Sequence, residues 1–117
     1  RPLMAQAVEQ HSDISILTSD NPRTEDPERI MDDAAKGFRR ASFARIADRQ
    51  EAIWQAIQRA RPGDIIVVAG KGHETYQDIQ GVKHPFDDRK VGRTLLERFA
   101  RMKGEWRLEQ REQRGEA

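Results

Sequence analysis

The sequence predicts an α/β domain with a mostly parallel sheet flanked by helices. Segments with a helical apolar period alternate with short β-type runs, in the order helix, strand, helix, strand, helix, strand, helix. The strongest run, Ile65-Ile66-Val67-Val68-Ala69, is apolar at every position, the pattern of a central parallel strand covered on both faces. Two unusual segments, Asp20–Arg23 and Gly70–Glu74, each begin immediately after a β run. In open parallel sheets the carboxyl ends of strands hold the ligand, so both segments are expected on one sheet edge, facing one ligand.

The elements follow in order. Arg1-Pro2-Leu3-Met4 leads straight into a helical pattern of Leu3, Met4, Ala7 and Val8 with no strand before it. The sheet is therefore expected to lack its first strand, as an N-terminally truncated domain would. Ile14–Thr18 reads as a short strand. Asp26-Pro27-Glu28 then opens a helix: Asp26 suits the N-cap, Pro27 the first turn and Glu28 the positive end of the dipole. Ile30, Ala34 and Phe38 give that helix an apolar stripe.

Phe43–Ile46 is expected to form another short strand. Asp48 and Glu51 have capping-box spacing ahead of Ile53, Trp54 and Ile57, and Pro62-Gly63 stops that helix. After the strand at Ile65–Ala69, Gln80-Gly81 is placed to turn a hairpin between Tyr76–Ile79 and Val82–His84. A last helix starts near Asp87-Asp88 and carries Val91, Leu95, Phe99 and Met102, with Gly104 as its expected C-cap. Residues 1–103 thus read as one domain, and 104–117 as a charged tail expected to be flexible.

Composition narrows the function. The chain has 117 residues, room for a single domain. Its 21 Lys+Arg against 20 Asp+Glu leave a net charge of +1, no electrostatic footprint for nucleic acid or an anionic membrane. No apolar run approaches the roughly 18–20 residues that span a bilayer, and no signal-peptide pattern opens the chain. There is no cysteine, which excludes a disulfide framework, a thiolate metal site and a cysteine nucleophile. His11, His73 and His84 lack metal-ligand spacing, so no metal site is expected. A cytoplasmic setting is the simplest expectation.

The chemistry lies in the two loops. Arg23 carries a planar fork of donors that matches a carboxylate bidentately. Pro22 fixes its own φ and biases Asn21 towards extended backbone, Asn21 offers donor and acceptor, and Asp20 is an anion. A plain turn and helix cap with Arg23 solvated is the competing interpretation. In Gly70-Lys71-Gly72-His73-Glu74 the glycines permit close backbone approach, Glu74 can accept from an ammonium, and Lys71 and His73 are possible supporting groups. A glycine-eased strand exit competes there. The segment is not a Walker loop, which needs four residues before its Gly-Lys-Ser/Thr, and Thr75 breaks a GxGxxG pattern. Together the loops offer one anion-seeking fork and one cation-seeking carboxylate, a pair suited to a zwitterion such as an amino acid.

Thr18-Ser19-Asp20-Asn21-Pro22-Arg23-Thr24-Glu25, Ala69-Gly70-Lys71-Gly72-His73-Glu74 and Phe86-Asp87-Asp88-Arg89 resemble the C-terminal domain of the diaminopimelate-adding Mur ligases. The resemblance runs from Arg1 to about Met102. It implies a Rossmann-like domain of a peptidoglycan-building, amide-forming ligase that uses ATP and Mg2+, both held mainly by a central domain. Its substrates would be meso-diaminopimelate and UDP-N-acetylmuramoyl-L-alanyl-D-glutamate. Carried onto this chain, the diaminopimelate contacts are Asp20, Asn21, Pro22, Arg23, Gly70 and Glu74, with no catalytic residue in this segment. The family's further arginine before the position of Arg1 and its ATP loop have no counterpart here, so the chain alone is expected to be inactive. Lysine-adding relatives resemble the pattern but lack the arginine at Arg23. An L-lysine-adding domain and a stand-alone module for small zwitterions are the alternatives.

Overall fold

A computed structural model describes residues 1–39, 43–71 and 73–113, with side chains described through residue 104. Two helical layers and two small β ladders make up the described chain. α1 spans Pro2–His11 and α2 spans Pro27–Ala35. They pack through Ala5, Met31 and Ala34, and Met31 is 1% exposed. Their approach is close: a Cβ on Gly37 would overlap the Pro2 carbonyl oxygen, so only glycine fits where the chain leaves α2. Asp26 caps α2 as its sequence position predicts, accepting from the Glu28 amide at 3.0 Å.

β1, Ile16–Leu17, pairs in parallel with β2, Ala44–Arg45. The expected strands at Ile14–Thr18 and Phe43–Ile46 are thus present but short. Arg45 ties β2 back to α2 through Asp32 at 2.6 Å and Glu28 at 2.8 Å. α3, Arg49–Arg59, starts at the Asp48 N-cap, whose side chain accepts from the Glu51 amide at 3.0 Å.

The second ladder is the expected hairpin: β3, Tyr76–Ile79, runs antiparallel to β4, Val82–Pro85. Gln80 and Gly81 at its tip have φ of 53° and 79°, the double positive φ of a tight hairpin turn whose twist matches its strands. α4, Asp88–Gln113, then packs on α3. Ile53, Ile57 and Leu95 form the core, with Trp54, Phe86, Val91 and Phe99 against it. Burying each of these aliphatic side chains contributes about 1.5–3 kcal/mol. Trp54 meets Phe99 edge-on at 6.2 Å.

The structure corrects two expectations. Ile65–Ala69 is not a strand: among the described residues no backbone hydrogen bond joins it to another segment. Ile65 is 87% and Val67 80% exposed, while Ile66 and Val68 are 39% and 42% exposed. A strand is defined by its neighbour, and the described β1 ladder extends only to β2. The apolar pattern therefore survives as an uncovered run, with Ile66 and Val68 less exposed than Ile65 and Val67. The second correction concerns Gly104, which lies within α4 rather than capping it. Glycine in a helix interior costs only about 1 kcal/mol relative to alanine, too little to stop the helix before the Glu, Arg, Leu and Gln residues that follow. Residues 114–117 of the expected tail lie outside the described residues.

Candidate functional site

The loop after β1 and the loop after Ile65–Ala69 meet. Asn21 Nδ2 donates to Glu74 Oε2 at 2.7 Å, and Asn21 Oδ1 accepts from the Asp78 amide at 2.7 Å. With both ends of its amide engaged, Asn21 sets the separation between its own loop, the second loop and β3. Gln77 adds a second tie, donating from Nε2 to the Asp20 carbonyl at 2.8 Å. Asp20 folds its carboxylate over the Asn21 amide. Its Oδ2 would lie 3.2 Å from a Cβ at Gly70, whose φ is +109°. Position 70 thus has both a backbone and a contact reason to be glycine.

Pro22 is buried and Arg23 is exposed. The Arg23 backbone has φ 56°, a left-handed conformation rare for a long side chain. Hydrogen bonds to the hairpin hold it there: its amide donates to Asp78 O at 2.7 Å and its carbonyl accepts from Gln80 N. Among the described residues the Arg23 guanidinium has no hydrogen-bond or ion-pair partner, so its donor fork is presented outward.

The supporting candidates divide. Lys71 is 3% exposed and turns inward, donating to the Tyr76 carbonyl with its ammonium 5.7 and 5.8 Å from the Tyr76 and Phe86 ring centres. His73 is exposed. Gly72 lies outside the described residues.

Sequence reasoning missed Arg49 and Gln77, and named Asp88 only as a helix start and part of the Phe86–Arg89 motif. Arg49 lies four residues before Ile53 and eight before Ile57, on the apolar face of α3, and is 3% exposed. Its Nε and Nη2 engage Asp88 Oδ1 and Oδ2 at 2.8 and 2.7 Å. Nη1 and Nη2 also donate to the Ser19 and Ala69 carbonyls, each at 3.2 Å. The available signal was an arginine in register with an aliphatic stripe, a position where only a paired charge is tolerated.

The neighbouring Asp87 caps α4 through the Arg89 amide at 3.0 Å. Desolvation pushes its carboxyl up, but the hydrogen bonds and positive charge of Arg89 and Lys90 prevail and hold it below the ordinary aspartate value. Away from the loops, Arg1 and Glu25 pair at 2.7 Å. Their hydrogen bond raises the guanidinium and lowers the carboxyl. Arg45 is raised likewise, first through its bond to Asp32.

With two loops tied at Asn21–Glu74, the edge carries an outward guanidinium and two carboxylates. Residues 1–72 match the family described as Mur ligase, glutamate ligase domain. The chain belongs to the Mur ligase family. It is 51% identical over 96 residues to the UDP-N-acetylmuramoyl-L-alanyl-D-glutamate–2,6-diaminopimelate ligase of Chromobacterium violaceum, covering 82% of this chain and 20% of that protein. It is 52% identical over 101 residues to the protein of the same name from Solibacter usitatus, covering 85% of this chain and 20% of that one. A solved structure of a ligase of this name superposes with a TM-score of 0.80 at 48% identity, over 86% of this chain and 21% of the other. The Rossmann-like α/β class read from the sequence is therefore that of its family. The chain spans about a fifth of the length of the curated relatives it matches.

Proposed function

We propose that this chain is the part of a diaminopimelate-adding Mur ligase that receives the incoming amino acid. The observation that carries the reading is the Asn21–Glu74 hydrogen bond, which closes the two loops beside the outward Arg23 fork. In this reading Arg23 takes the far carboxylate of meso-diaminopimelate, and Glu74, through the oxygen Asn21 leaves open, takes the ammonium beside it. Asp20, Pro22 and Gly70 shape the loops around that end of the ligand. L-Lysine lacks the far carboxylate, so a lysine-adding domain would leave the fork without a task. Lys71 acts by holding the second loop from within, and His73 lies at the rim.

The reaction joins the amine of diaminopimelate to UDP-N-acetylmuramoyl-L-alanyl-D-glutamate at the expense of ATP. Residues 70–74 do not make a Walker loop, and no group of three or more His, Asp or Glu able to hold a metal occurs among the described residues. In this reading ATP and Mg2+ are held mainly by the central domain that the family resemblance implies, and the chain alone binds without catalysing. None of the described helices is long and apolar enough to cross a membrane, and a nucleotide-linked substrate fits a cytoplasmic setting. Ligand-observed NMR on the 117-residue chain tests the proposal. Saturable binding of meso-diaminopimelate, with L-lysine at least about tenfold weaker, is the expected result. Equal binding of the two, or none, would overturn it.

A further inference from the structure

The Arg49–Asp88 pair does more than fill the interface of α3 and α4. Ser19, whose carbonyl it holds, immediately precedes Asp20, and Ala69 immediately precedes Gly70. One rigid guanidinium plane therefore touches the root of each site loop while its other edge is clamped bidentately by the first residue of α4. The cation is enclosed, its side chain 2% exposed and that of Asp88 13%. An aliphatic residue would satisfy the packing register with Ile53 and Ile57 without desolvating a charge. Among the described residues Ile65–Ala69 has no backbone hydrogen-bond partner, and the Arg49 bond to the Ala69 carbonyl holds the end of this run. Further out, the Asn21–Glu74 hydrogen bond joins the second loop to the first.

We propose that Arg49 is a positioning residue for the amino-acid site: with Asp88 as its anchor, it sets the distance between the loop that carries Arg23 and the loop that carries Glu74. The assignment rests on the reading of those loops as a diaminopimelate site. A fixed distance matters because the ligand must meet a carboxylate receptor and an ammonium receptor at once, and an error of about 1 Å in either is enough to lose one of them. Lysine at position 49 keeps the charge but has no planar fork able to reach Asp88, Ser19 and Ala69 together. Asparagine at 88 keeps the size and one acceptor but removes the counter-charge. It supplies a second variant if Arg49→Lys folds poorly.

The test uses the full chain with two readouts. Amide hydrogen exchange without ligand should quicken about tenfold at Asn21, Arg23 and Glu74 in both Arg49→Lys and Asp88→Asn, as expected for losing one charge-assisted hydrogen bond, and stay unchanged in α2. The double variant should be no worse than the worse single one. Preference for meso-diaminopimelate over L-lysine should narrow by a similar factor, a ratio that general destabilisation leaves alone. Unchanged exchange at the loops, or equal acceleration in α2, would overturn the proposal. If the unaltered chain binds neither amino acid, the diaminopimelate reading fails, and the exchange comparison still decides whether Arg49 holds the loops.

Discussion

Arg23 sits at φ 56°, a backbone that few long side chains adopt, because two hydrogen bonds to the β3–β4 hairpin hold it. A conformation of that kind costs on the order of 1–3 kcal/mol and persists where surrounding contacts over-determine it. Arg23→Lys keeps the charge and the backbone but removes the fork. Affinity for meso-diaminopimelate is expected to fall between about tenfold and a hundredfold, with affinity for L-lysine unchanged, when both are titrated side by side. Equal losses for both ligands would show that Arg23 does not read the far carboxylate. Gly70→Ala addresses the other loop. With φ at +109° and Asp20 Oδ2 at 3.2 Å from the added carbon, urea unfolding should show a loss of about 1–3 kcal/mol. Gly70, Asn21 and Arg23 were singled out in the sequence by residue type and by the family resemblance. Arg49 was not: its acceptors lie 20, 30 and 39 residues away, and no local pattern encodes them.

Elements whose signals are local formed where the sequence placed them. The caps at Asp26 and Asp48 and the Gln80-Gly81 turn depend on neighbours a few residues apart, whereas the two short strands pair at long range, Ile16 with Ala44. The hairpin offers a clean check. Gln80 adopts φ 53° without the tolerance that asparagine has, so Gln80→Asn should stabilise the chain by up to about 1 kcal/mol in urea unfolding. A destabilised variant would mean that the Gln80 side chain contributes more than its backbone conformation suggests. α4 shows the opposite limit. Gly104 carries a stop signal, but a lone glycine marks a helix end only when the backbone turns left-handed there, and its φ does not. The Val91, Leu95 and Phe99 stripe was legible, whereas Met102 at its end is 45% exposed.

Over the whole molecule the radius of gyration is 17.2 Å, against about 13 Å for a compact chain of this length. The long α4 and the uncovered Ile65–Val68 run are both consistent with that difference. The sequence pattern of the run records the surroundings a parallel strand would have, but periodicity cannot supply the neighbouring strand. An exposed extended apolar run is a template for pairing with other chains. Sedimentation velocity should therefore detect concentration-dependent association that Val67→Lys reduces; association unaffected by that change would place the contact elsewhere. The family membership and the two-loop geometry lead to one central claim, that Asn21, Arg23, Gly70 and Glu74 form a receptor for diaminopimelate. Amide chemical shifts recorded during titration with meso-diaminopimelate, and separately with L-lysine, test it most directly. Saturable shifts confined to these four residues and their immediate neighbours, much larger for diaminopimelate, are the predicted result. Shifts centred elsewhere, or identical for the two amino acids, would contradict it.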